Sequence, residues 1–156
     1  MHVGKVLSET AKRIPQKTAV IFKDEEITFS QLELMATRLA NKLRSCKVGS
    51  GDHVAIILPN SSQWVVSYFA VMKLGAVAVP LDFRFKGEEI VPILTDATIK
   101  GVITSDLYPE LTVFSQVESI SSVIIAGEKG TSSFSRYEDV VGDESLSSAV
   151  EVDITE

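Results

Sequence analysis

From His53 the chain reads HVAIILP, apolar at nearly every position and closed by Pro59. A strand with one solvated face alternates apolar and polar residues. A continuous apolar run ended by a breaker instead marks a strand covered on both faces, as parallel strands are. The residues after Pro59 obey that constraint. Asn60 or Ser61 can cap a helix whose apolar face is Trp64, Val65, Tyr68, Phe69 and Met72, and Gly75 supplies the left-handed stop. AVAV, Ala76 to Val79, then reads as a second buried strand.

The rhythm repeats with helix-like GEEIVPILTD, strand-like GVITS, a mixed stretch from Asp106 to Glu118, and strand-like SVIIA from Ser122 to Ala126. Alternating strands and helices imply right-handed crossovers, hence an α/β fold with a mostly parallel sheet and helices on both faces. Ahead of this lies a helical N-terminal pattern, MHVGKVLSETAKR, and then alternation near Ala19 to Phe29, broken by the charged run Lys23 to Glu26. The latter predicts a small N-terminal β-hairpin. Ser30 and Glu33 have the spacing of a capping box, and Leu32, Met35, Ala36, Leu39, Ala40 and Leu43 continue one helical face to Arg44.

Beyond Gly127 the pattern fades into GEKGTSSFSR, a polar loop, and RYEDVV, a short helix. Two regions result: an α/β unit over 1–141 and an acidic, serine-rich tail over 142–156, expected to be poorly ordered. The 156 residues suffice for one domain, burying about 70% of the unfolded surface. A formal net charge of −6 argues against nucleic acid or an anionic membrane as partner, since phosphate backbones require clustered cations. Without an uninterrupted apolar segment at the N-terminus there is no signal-peptide pattern, and the chain is expected in the cytosol. Trp64 to Leu81 is no membrane span, because Lys73, Gly75 and Pro80 interrupt it.

Few residues offer chemistry. Cys46 ends a helical pattern and has no evident base, and His2 and His53 are too isolated for a metal site. Gly49 and Gly51 end a helix and lead into a strand, the reverse of the order a phosphate loop requires. AGEKGTSS, Ala126 to Ser133, follows a strand but lacks the P-loop spacing, so it reads as a mobile surface loop. The pairs Glu25–Glu26 and Glu88–Glu89 fall in a hairpin turn and a first helical turn, where structural roles suffice. The loop Asp82-Phe83-Arg84-Phe85-Lys86 stands apart: it leaves the carboxyl end of a parallel strand, where open α/β sheets place ligands. Arg84 offers a fork for phosphate and Lys86 a second cation. Equally, Phe83 and Phe85 could pin the loop while Arg84 and Lys86 are solvated, and the residues alone leave both open.

The segment TAVIFKDEEITFSQLELMATRLANKLRSCKVGSGDHVAIILPNSSQWVVSYFAVMKLGAVAVPLDFRFKGEEIVPIL resembles the early part of the adenylate-forming superfamily, a resemblance that covers Thr18 to Ser105 well and the rest weakly. That superfamily comprises acyl- and aryl-CoA ligases, peptide synthetase adenylation domains and luciferases. The resemblance implies the first subdomain of such a ligase. It implies activation of a carboxylic acid by ATP with magnesium, and transfer of the acyl group to coenzyme A or another thiol. The family's phosphate loop, ribose aspartate, magnesium glutamate and catalytic lysine have no counterpart in this sequence, so no catalytic or metal-binding residue is assigned and the chain alone is expected to be inactive. VEVDITE resembles the lead-in to the strand before the phosphate loop. By the same resemblance Arg84, with Asp82, Phe83 and Lys86, lies near the nucleotide end of coenzyme A, although FRF replaces the usual NPR and Pro92 falls within the next helix. The implied partners are the remainder of the ligase and a small carboxylic acid, with self-association through an exposed face. The rival reading is a free-standing doubly wound nucleotide- or protein-binding module.

Overall fold

The computed structural model describes residues 2–128 and 133–151. α1 (Val3–Arg13) leads into the hairpin β1 (Thr18–Phe22) and β2 (Glu25–Thr28), followed by α2 (Phe29–Ser45). Then come β3 (His53–Ile57), α3 (Ser62–Lys73), β4 (Val77–Pro80), α4 (Gly87–Asp96) and β5 (Ile99–Ser105). A 3-10 turn, Leu111–Gln116, precedes β6 (Ser122–Ala126), and β7 (Ser135–Arg136) and α5 (Tyr137–Gly142) close the order with a last 3-10 turn, Glu144–Leu146. The main sheet has five strands in the order β4-β3-β5-β6-β7, every neighbouring pair parallel. The expected α/β fold with an antiparallel N-terminal hairpin is what forms.

The period of two along the central strands explains the layers. Val54 and Ile56 of β3, with Ile124 of β6, face a core shared with α1, α2, α3 and α5. Their neighbours Ala55 and Ile57, with Val123 and Ile125, face a second core built on α4 and the 3-10 turn. Both faces of the strand are covered, and the continuous apolar run is the consequence.

Four details depart from the sequence reading. The capping box of α2 is Thr28 with Gln31, not Ser30 with Glu33: Thr28 Oγ1 accepts from the Gln31 amide at 3.3 Å and Gln31 Oε1 accepts from the Thr28 amide at 2.8 Å. Phe29 already opens the helix, because the hairpin ends at Thr28. AVAV is not a buried strand. β4 pairs only with β3, and as an edge it leaves Val77 43% exposed. On α3 the buried row is Val66, Ser67, Ala70 and Val71, while Trp64, Val65, Tyr68, Phe69 and Met72 are only partly buried. Small residues turn inward because α2 packs closely there, and Trp64 stacks on Tyr68 at 5.7 Å instead. The tail from Gly142, expected to be poorly ordered, is fixed through Ser148 by hydrogen bonds from Arg38 and Asn41 on α2; residues 152–156 lie outside the described ones.

Other expectations hold. Ser61 caps α3, its Oγ accepting from the Trp64 amide at 3.2 Å, and Gly75 ends that helix at φ 65. Pro92 sits inside α4 without breaking it. Its side chain is exposed, and it has no N–H to offer the Glu88 carbonyl.

Glu33, free of capping, has another task. Lys73 Nζ at the end of α3 donates to Glu33 Oε1 at 2.7 Å and to Ser8 Oγ of α1 at 2.9 Å. Lys73 is only 7% exposed and Glu33 26%. Gly4 lets α1 lie directly on this helix end: a Cβ there would sit 2.8 Å from Lys73 Cα. The cluster thus joins α1, α2 and α3. Removing the ammonium takes the counter-charge from a partly buried carboxylate that keeps only the Ser8 Oγ donor, so Lys73→Met should cost about 3 kcal/mol and lower Tm by about 6 to 12 °C. Adding Glu33→Leu should recover most of the loss by removing the stranded charge. Calorimetry of the two variants checks this, and an unchanged Tm in Lys73→Met would refute it.

Candidate functional site

From β3 the chain crosses through α3 on one face to β4, and from β4 through α4 on the other face to β5. β4 and β5 flank β3, so the connections leaving β3 and β5 diverge at their carboxyl ends. Such a reversal opens a crevice in doubly wound sheets. Here it measures about 610 Å³, walled by Phe22 at the end of β1, Lys23 of the hairpin turn, Leu58 and Pro59 after β3, Leu107 after β5 and Gly127 after β6. Lys23 Nζ lies 5.4 Å from the Phe22 ring centre. Sequence reasoning missed this crevice. Strand order is set by tertiary packing, and none of these residues forms a motif.

The loop singled out from the sequence leaves the edge strand β4 instead. Asp82 and Arg84 come together: Arg84 Nε and Nη2 donate to the two Asp82 carboxylate oxygens at 3.0 and 2.7 Å, and the Arg84 amide donates to Oδ1 at 2.9 Å. These hydrogen bonds hold the Asp82 carboxyl down at about 2 and raise the Arg84 guanidinium. The Arg84 side chain remains 87% exposed. The aromatic residues do the opposite. Phe83 meets Tyr108 edge-to-face at 5.9 Å, Tyr108 stacks on Phe114 at 5.7 Å, and Tyr108 Oη donates to the Phe85 carbonyl at 2.8 Å. Burial, then the charges of Glu110 and Glu89, push the Tyr108 hydroxyl up. Lys86 joins α4 through its backbone, its amide donating to Glu89 Oε2 at 2.9 Å and its carbonyl accepting from the Glu89 amide at 3.0 Å. The arrangement is a rigid aromatic block carrying a surface guanidinium. Asp82 uses two of its five N–H groups, and the rest can meet an anion. Tyr108, which braces the loop, was not singled out from the sequence, where a lone tyrosine carries no signal.

The remaining candidates have structural roles. His53 Nδ1 lies 2.6 Å from the Ala97 carbonyl, and His2 caps α1 by accepting from the Lys5 amide. Gly49 and Gly51 form the turn into β3, with the Gly49 amide on Asp52 Oδ2 at 2.8 Å. Glu25 accepts from Ser62 Oγ and Glu26 from Thr18 Oγ1. Cys46 caps the end of α2. The loop Ala126 to Ser133 falls partly on residues 129–132, outside the described ones. Among the described residues no three His, Cys, Asp or Glu side chains converge as a metal site would require, and no helix is long and apolar enough to cross a membrane.

Comparison with known proteins places this geometry. Residues 7–152 match the model of the AMP-binding enzyme family. The chain is 31% identical over 125 residues to a long-chain-fatty-acid–CoA ligase of Bacillus subtilis, covering 80% of this chain and 22% of that protein. It is 35% identical over 108 residues to surfactin synthase subunit 2 of the same organism, covering 69% of this chain and 3% of that one. The crystal structure of an anthranilate CoA ligase with anthranoyl-AMP superposes with a TM-score of 0.83 at 25% identity, over 91% of this chain and 28% of that one. The chain therefore spans about a fifth of the CoA ligase relative.

The Asp82–Arg84 pair can be read directly by pH. A carboxyl depressed on folding adds stability above its ordinary value of 3.8, and that stability is lost as pH falls towards about 2. Carbon-detected NMR should show Asp82 titrating near 2, and near its ordinary value in Arg84→Ala. A midpoint unmoved by the substitution would show that Arg84 is not its cause.

Proposed function

The chain belongs to the AMP-binding enzyme family, and from that premise we propose that it is the N-terminal α/β part of an ATP-dependent acid–thiol ligase of the acid–CoA type. In such an enzyme a carboxylate attacks the α-phosphorus of ATP, pyrophosphate leaves, and a thiol then displaces AMP from the acyl adenylate. The observation that carries this reading is the match of residues 7–152 to the family model. The names of the relatives, a fatty-acid–CoA ligase and a peptide synthetase, support the reaction class.

This reading assigns no ATP- or magnesium-binding residue among those described. No carboxylate cluster converges, and the glycine turn at Gly49 and Gly51 enters a strand rather than opening a helix. Those groups are therefore assigned to other segments of the ligase, and no step is routed through them. What this chain contributes is a scaffold and a surface. Arg84, with Phe83 as a fixed aromatic face and Lys86 as a second cation, is proposed to meet the nucleotide phosphate of coenzyme A. Asp82 holds the guanidinium in place and competes for it.

The complete ligase should show acid-dependent exchange of pyrophosphate into ATP, whereas the 156-residue chain should show none. Exchange by this chain, or saturable ATP binding to it in calorimetry, would instead mark a self-sufficient nucleotide-binding module. In the complete ligase Arg84→Ala should weaken coenzyme A by roughly tenfold, the worth of a charge-assisted contact, with the adenylation half-reaction unchanged. Asp82→Asn should have the opposite sign, since it frees the guanidinium. Loss of adenylation in step with thioesterification would make Arg84 structural.

A further inference from the structure

Among the described residues the segment after α5 has no strand partner. Between Asp143 and Glu151 the described backbone makes only one 3-10 turn, Glu144–Leu146. Beyond the turn's own hydrogen bonds, two side chains one turn apart on α2 hold it. Arg38 Nη1 donates to the Val141 carbonyl at 2.7 Å and Nε to Ser147 Oγ at 3.0 Å. Asn41 Nδ2 donates to the Leu146 and Ser148 carbonyls, both at 2.7 Å. Asn41 is only 7% exposed, and its Oδ1 is buried without a partner among the described residues. A buried amide with both donor hydrogens on one peptide segment and a free acceptor is an unfinished grip, since buried acceptors ordinarily find a donor.

We propose that Arg38 and Asn41 form a peptide clamp that fixes the direction of this segment and so positions the ATP-binding part of the ligase for adenylation. They are positioning residues and touch no substrate. The inference rests on the ligase reading, with the segment as the lead-in to the phosphate-binding loop. Two bonds from Asn41 to carbonyls two residues apart fix an orientation as well as a place. Those from Arg38 fix the same segment on either side of the 3-10 turn. Leu146 and Val150 pack on the core beside them, so the clamp aims a segment that apolar contact alone would let slide.

The test uses the complete ligase and steady-state pyrophosphate exchange. Asn41→Asp keeps the shape but turns the donor into a carboxylate facing two carbonyls. Ser147→Ala removes one Arg38 partner at the exposed surface and leaves the core intact. Arg38→Lys keeps the charge but replaces the fork by one nitrogen. The expected result is a rise of roughly tenfold in KM for ATP in Asn41→Asp, a smaller rise in Ser147→Ala and partial retention in Arg38→Lys, with KM for the acid unchanged. A purely structural role would lower Tm and the amount of active enzyme without moving KM for ATP. An unmoved KM in both Asn41→Asp and Ser147→Ala, beside robust wild-type exchange, overturns the clamp alone. Wild-type ligase without exchange overturns the ligase reading and the clamp with it.

Discussion

β3 lies at the inside of the sheet with β4 on one side and β5 on the other, and its residues divide strictly between two cores. Val54 and Ile56 need α1, α2 and α3 above them, while Ala55 and Ile57 need α4 below. Each fully buried aliphatic side chain contributes on the order of 1.5–3 kcal/mol, so neither layer can be removed without exposing half of the strand. The crossovers must therefore run on opposite faces, and the reversal at β3 results. The crevice at the carboxyl ends and the edge position of β4 are both consequences of that arrangement.

The edge position decides what the Asp82 to Lys86 loop can be. A loop leaving an inner strand would be walled by neighbours on both sides. This one has β3 on one side only and is stiffened from below by Phe83, Tyr108 and Phe114. Its aromatic residues become the support and its charged residues the surface. In isolation Arg84 turns to the nearest carboxylate, Asp82. Because that pair is exposed, solvent screens it, and it holds geometry more than it holds the fold.

The same helix, α2, gathers α1 and the segment beyond α5. Glu33 engages Lys73 and Ser8 and so holds α1, while Arg38 and Asn41 hold the segment beyond α5. Glu33, Arg38 and Asn41 are therefore joints between elements, whereas Gln31, Arg44 and Ser45 of the same helix stay exposed. The ion pair is costly to break from one side alone, since the Lys73 ammonium and one Glu33 oxygen are buried.

Local pattern sufficed for the elements. The apolar run from His53, the Gly75 stop and the Ser61 cap identified β3 and α3, because hydrophobic period and capping chemistry act within a few residues. The order of ordinary residues from Thr18 to Leu94 likewise carried the family resemblance. What failed to be legible were competitions between partners distant in the chain. Glu33 had the spacing of a cap, but Lys73, forty residues away, claims it. AVAV looked as buried as HVAIILP, because composition does not reveal which strand stands at the edge. The acidic tail reads as unstructured on its own, and the donors of Arg38 and Asn41 tie its backbone to α2. Sequence alone determined which segments become strands and helices, since those preferences are short-range. The strand order, the edge and the partner of each charge were decided by tertiary structure, since each depends on which surfaces meet once both faces of β3 are covered.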